Sequence, residues 1–302
     1  MIAQFALRLI CGMSLMWALM PRRQVTSGFF RIQMLVVMGL GVLAALSDAM
    51  DAQSAIREAG ETDLVTALPS PLMASLSAGV LAFLGFVGSA FWTLERRVGA
   101  ERIGFGILVL SASWIWMWCD SGAGHDGYML VVSDTIMLVV SDTIIKIGVP
   151  LVAPGCHPLI AFASEFIGSA VLGGSVVSML LGHWYLTTPT MSIEPLKRLN
   201  LILGISGVLR LIASATVLLM LWNGAFDTVE QSLSFVAVPK TWLGLRWLAG
   251  VIGPIGVSLM VWRILKYRNT QAATGVLFVG VILAFIGDMT AALLLLETKL
   301  PL

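Results

Sequence analysis

Eight runs of about 20 predominantly apolar residues recur along the chain, each long enough as a helix to cross the roughly 30 Å hydrocarbon core of a bilayer. They lie at about Ile2–Met20, Ile32–Ser47, Pro71–Leu94, Ile103–Trp118, Pro158–Gly182, Leu199–Trp222, Trp242–Trp262 and Ala272–Leu296. Backbone polar groups in hydrocarbon must find partners within their own segment, so such runs have to be helices. The expected fold is an all-α, polytopic integral membrane helical bundle, with residues 1–302 forming a single transmembrane domain. Composition agrees: 58% of the 302 residues are hydrophobic, 12% are charged, and mean hydropathy is +0.94. Soluble domains run at roughly 45–50% apolar and about 25% charged. A net charge of +1 with dispersed Lys and Arg speaks against a nucleic-acid partner. The expected partner is the lipid bilayer, with a bacterial inner (plasma) membrane as the expected location.

Orientation follows from the basic residues of alternate loops, which stay on the cytoplasmic side. One set holds Arg22, Arg23, Arg31, Arg96, Arg97, Arg102, Lys197, Arg198, Arg263, Lys266 and Arg268; the opposite set holds only Arg57, Lys146, Lys240, Arg246 and Lys299. Both termini are therefore expected on the non-cytoplasmic side. The first run is read as a retained span rather than a signal peptide, because its basic residues follow the apolar stretch instead of preceding it. The second run is expected to stop at the acidic stretch Asp48–Asp63. All ten Trp lie near span ends, as an interfacial aromatic belt would place them.

Residues 119–157 are expected to form an interfacial or re-entrant segment on the outer face. They contain an eight-residue direct repeat, Met129–Ile136 and Met137–Ile144. A ninth crossing there would turn the basic loops at Lys197 and Arg263–Arg268 outward, and Asp134, Asp142 and Lys146 are costly in hydrocarbon. Four plus four spans fit an internal repeat, although the halves show no convincing sequence match.

Ionisable residues inside spans are the strongest pointers to function, because lipid tolerates them only against a partner or a polar cavity. Four are read as such, Arg8, Glu165, Arg210 and Asp288, with Arg246 at the start of the seventh run counted with the loop charges. All four fall in the outer half of the membrane on four different helices. They form either structural ion pairs, such as Glu165 with Arg210 and Asp288 with Arg8, or a polar cavity in which a carboxylate takes up and releases a proton or cation while arginine sets its pKa or binds an anionic group. Gly250, Gly253-Pro254 and Gly256 interrupt the seventh span, where Pro removes a helix hydrogen bond, and broken helices at mid-membrane form substrate sites in transporters.

Other groups carry weaker chemistry. Cys119, His125, Cys156 and His157 bracket the outer connection and could hold zinc or copper, or Cys119 and Cys156 a disulfide, but their spacing matches no metal signature. His183, Trp184 and Tyr185 at the inner end of the fifth span could contact a quinone or a lipid headgroup. No histidine lies mid-span to ligate haem, and no P-loop or dinucleotide fingerprint occurs. The run Gly204-Ile205-Ser206-Gly207 superficially looks like the serine motif of rhomboid intramembrane proteases, but no histidine follows His183 to complete it. With no complete catalytic set and no cofactor required, the chain reads as a transporter or permease moving a small solute or protons. The alternative is a non-catalytic membrane subunit of a respiratory or redox complex, handling quinone or protons beside other subunits.

Overall fold

The computed structural model describes residues 2–58, 69–121, 158–188, 191–222 and 240–298. Among these residues the chain is helical, without strands. The helices are α1 (Ile2–Leu19), α2 (Ser27–Glu58), α3 (Pro69–Thr93), α4 (Arg97–Ser121), α5 (Pro158–Thr187), α6 (Glu194–Trp222), α7 (Lys240–Trp247), α8 (Gly253–Lys266) and α9 (Thr270–Thr298). A short 3-10 turn, Arg22–Gln24, links α1 to α2, and a π-helical turn, Leu248–Ile252, joins α7 to α8. Counting α7, the π turn and α8 as one span, 8 helices among the described residues are long and apolar enough to cross a membrane. The protein is a polytopic membrane protein whose outer faces are apolar: Leu46, Phe83, Phe105, Leu201, Trp262 and Phe278 all point away from the bundle.

The spans of the sequence reading are all present, and α2 outruns its own. It continues to Glu58 through the acidic stretch, because Ser47–Glu58 contains neither Gly nor Pro to end a helix whose apolar part is complete. The aromatic belt needs correction at two members. Trp17 and Trp92 are buried, and Trp92 stacks on Phe30 with centroids 4.5 Å apart and 13° between planes, because both point into the first half of the bundle.

Contacts between helices divide the bundle into two rings of four. In the first, α1 packs on α2, α2 on α3, α3 on α4, and α4 closes on α1. In the second, α5 packs on α6, α6 on the π turn and α8, α8 on α9, and α9 closes on α5. The rings repeat the same detail at the same place. The α3–α4 corner holds Glu95 at φ 55° and the α8–α9 corner holds Arg268 at φ 57°. Each of these residues donates its N–H three residues back, Glu95 to Trp92 and Arg268 to Leu265.

The rings join through their first helices. A Cβ on Gly12 would lie 2.9 Å from the Gly173 nitrogen, and one on Gly173 would overlap the backbone of Gly12 and Met13, so two glycines permit a backbone-to-backbone crossing. Residue numbers rise together across this crossing: Arg8 lies beside Gly168, Gly12 beside Ser169 and Gly173, and Met16 beside Gly174. Helices α1 and α5 are therefore parallel, and the two rings run in the same direction.

Candidate functional site

Four of the charged residues read from the sequence come together, but not in the expected pairs. Arg8 sits between both carboxylates, with Nε 2.9 Å from Glu165 Oε2 and Nη2 2.7 Å from Asp288 Oδ1. The pairing of Asp288 with Arg8 is as expected. Glu165 bonds Arg8 rather than Arg210, because the α1–α5 crossing lays the Arg8 guanidinium along the same face of α5. Arg210 points into the same region and donates from Nη1 to the carbonyl of Ser164 on α5, lying 3.5 Å from the Ser164 hydroxyl. A Cβ at Gly168 would stand 2.5 Å from Arg210 Nη1 and 2.6 Å from Arg8 Nη2. The missing side chain at Gly168 is what lets two guanidinium groups approach α5 side by side.

A fifth charge belongs to the cluster. Arg246, counted with the loop residues in the sequence, is 2% exposed, as deeply buried as Arg8 at 4% and Arg210 at 3%. It lies within electrostatic reach of Arg210, Asp288, Arg8 and Glu165. The local sequence makes room for it. Gly250, one turn on from Arg246, meets Gly287 of α9, where an added Cβ would stand 2.9 Å from the Gly287 Cα. The π turn over these residues has a physical cause: Pro254 has no N–H to donate, so regular hydrogen bonding fails just ahead of it and Gly253 reaches five residues back to the Leu248 carbonyl. The expected interruption of the seventh span is thus a π turn inside a continuous helix. Arg246 escaped the sequence reading because it lies near a span end between Trp242 and Trp247, where loop charges are usual. The signal was the spacing Arg246, Gly250, Gly253-Pro254, a charge one turn ahead of a helix defect.

All five groups lie toward one end of the bundle, and four of them, Glu165, Arg210, Arg246 and Asp288, come one from each span of the second ring. Arg8 is the contribution of the first ring. A small cavity lies among them, lined by Gly168, Val171, Leu172, Arg210, Arg246, Gly250, Ala284, Gly287 and Asp288. It offers about 10 Å³ to the centre of a water-sized body, about the space of one water molecule.

The remaining candidates fall elsewhere. His183 is exposed at the far end of α5. Trp184 donates from Nε1 to Thr26 Oγ1 at 2.9 Å and meets Phe29 edge to face, while the Tyr185 hydroxyl donates to the Ser192 carbonyl. The polar groups of Trp184 and Tyr185 therefore hold chain connections together. Cys119 lies in the last turn of α4, and His125, Cys156, His157 and the direct repeat lie outside the described residues. Among the described residues no group of three or more His, Cys, Asp or Glu side chains is placed to hold a metal ion. No family model, curated protein or solved structure matches the chain.

Proposed function

We propose that this membrane protein is a transporter or permease in which the second helical ring carries the site for the moving solute and the first ring supports it. One observation carries the reading: among the described residues every span of the second ring supplies a buried charged side chain to one cluster, three of these side chains, Arg210, Arg246 and Asp288, line a small cavity, and the first ring adds Arg8. A lock between helices needs one or two ion pairs. Five ionisable groups in one cluster, three of them lining a cavity, go beyond that need in a solvent where each such group is costly.

Sidedness supports a solute path that opens to the outside. The 3-10 turn with Arg22 and Arg23, the α3–α4 corner with Arg96 and Arg97, the start of α6 with Lys197 and Arg198, and the α8–α9 corner with Arg268 all lie at the end of the bundle opposite the cluster. By the positive-inside rule that end is cytoplasmic, which puts both termini outside and the cluster in the outer half of the membrane.

The test is purification in mild detergent with mass spectrometry of whatever accompanies the protein, then reconstitution on a solid-supported membrane. Jumps in proton, halide or acetate concentration should evoke a transient current from the protein alone. Stoichiometric partner chains or bound quinone, with no current, would replace this reading by that of a complex subunit.

A further inference from the structure

We infer that the first ring holds a binding site for a neutral, carbonyl-bearing amphiphile, the chemistry shared by a quinone headgroup and the ester groups of a diacyl phospholipid. The site stands apart from the charge cluster and from whatever solute the second ring moves.

Three buried polar side chains define it. Trp17 on α1, Gln33 on α2 and Trp92 on α3 are 3%, 1% and 4% exposed. Among the described residues, Trp17 Nε1, Trp92 Nε1 and both polar atoms of the Gln33 carboxamide have no hydrogen-bond partner. Buried polar atoms in folded proteins are nearly always paired, because leaving one unpaired forfeits its hydration without return. Four such atoms on three neighbouring helices call for a partner that the chain itself does not supply.

Packing gathers these side chains around Met34. Trp92 stacks on Phe30, one helical turn ahead of Met34, and Gln33 adjoins Met34 on the same face of α2. A Cβ on Gly104 of α4 would stand 3.6 Å from Met34 Cε and 4.0 Å from Trp17 Cε3. A Cβ on Gly88, one turn before Trp92 on α3, would stand 2.9 Å from Met34 Sδ. The Met34 thioether thus occupies the space that two missing side chains leave in the middle of the group. An unbranched side chain with three rotatable bonds is suited to fold aside for an incoming apolar body.

The class of ligand follows from the donor count. Two indole N–H groups and the carboxamide NH2 donate, and only Gln33 Oε1 accepts. The partner is therefore rich in acceptors, as carbonyl compounds are. It is also neutral. Among the described residues Arg8 is the one fully buried charge of the first ring, and it lies toward the other end of α1; Arg22, at this end, donates from Nε to the Trp17 carbonyl at 2.8 Å and pairs with Glu101 at 3.7 Å. Depth agrees, since Trp17 and Trp92 fall in the last turns of α1 and α3, just inside the basic corners, where a bilayer passes from hydrocarbon to its polar layer.

The experiment is thermal unfolding of the full-length protein, purified in detergent with ether-linked phosphatidylcholine, which has no carbonyl. It is titrated with decylubiquinone against carbonyl-free decylbenzene, and with ester-linked against further ether-linked phosphatidylcholine. A ligand that binds only the folded state raises Tm with its concentration. The expected result is a rise of about 2 °C per tenfold concentration above half-saturation with at least one carbonyl probe, absent with its carbonyl-free counterpart. Response to decylubiquinone alone identifies a quinone site, and response to the ester lipid alone a phospholipid site. Gln33→Leu, neutral or stabilising in the ligand-free protein, should lose the rise, as should Trp92→Phe, which keeps the stacking ring and removes the N–H. Equal curves for each carbonyl probe and its counterpart in the wild-type protein would overturn the inference without recourse to any variant. So would a rise that persists unchanged in both variants.

Discussion

Arg8 on α1 holds Asp288 on α9 at 2.7 Å, so this ion pair crosses from the first four-helix ring into the second. The same side chain holds Glu165 on α5 at 2.9 Å. One guanidinium thus ties three helices at the depth where the bundle is most polar. A buried pair is strongly destabilising when one partner is removed, because the other charge stays behind. Arg8→Met should lower stability by about 3–5 kcal/mol, read as a fall in Tm in detergent. Arg8→Lys keeps the charge but cannot reproduce a fork spanning two carboxylates, and should fall between the two. Equal Tm for all three would mean the bridge has no structural weight.

The ring-to-ring joint gives a prediction that contrasts two glycines. Gly173→Ala forces a methyl into the backbone of Gly12 and Met13 and should cost about 1–3 kcal/mol or more. Gly106→Ala on α4 meets nothing within 4 Å and should be neutral or gain up to about 1 kcal/mol from better helix propensity. Thermal unfolding of both variants decides the matter, and similar losses in both would show that the crossing is not held by close approach.

Equivalent positions in the two rings behave differently. Asn200, six residues into α6, donates its amide to the Ser258 carbonyl at 3.0 Å, and the Ser258 hydroxyl donates back to the Asn200 carbonyl at 2.9 Å. Gln33, six residues into α2, is equally buried but has no hydrogen-bond partner for its carboxamide among the described residues. Asn200→Leu should destabilise by about 1 kcal/mol or more, whereas Gln33→Leu should leave stability unchanged or raise it. A larger loss at Gln33 than at Asn200 would show that Gln33 serves an unrecognised partner.

Much of this architecture was legible in the sequence, for a simple reason. Span count depends on the length of apolar runs, a local property, and so do four of the five buried charges, which lie deep inside runs where lipid makes any charge conspicuous. Arg246 stayed hidden because a charge near a span end is ordinary until a neighbouring helix is known to cover it. The double-ring arrangement was hidden for a related reason. Its evidence lies in which helices touch and in two corners with Glu95 and Arg268 at positive φ, and neither leaves a matching string of residues. The exchange of Glu165 from Arg210 to Arg8 follows from the Gly12–Gly173 crossing, which is a matter of packing rather than spacing.

Sidedness makes its own prediction. A cysteine at Glu95, on the exposed α3–α4 corner, should react with a membrane-impermeant thiol reagent only when the cytoplasmic face is open, as in inverted vesicles. Labelling from the opposite face would invert the proposed orientation and put the charge cluster in the inner half.

The central claim, that the charge cluster of the second ring moves solute rather than only fixing helices, is tested most directly by comparing wild type with Glu165→Gln in proteoliposomes. Arg8 keeps Asp288 as a partner in that variant, so the fold has a remaining tie across the rings. The account predicts that Glu165→Gln protein, still cooperative in thermal unfolding, loses at least tenfold of the solute-evoked current. A folded Glu165→Gln variant with wild-type current would contradict it.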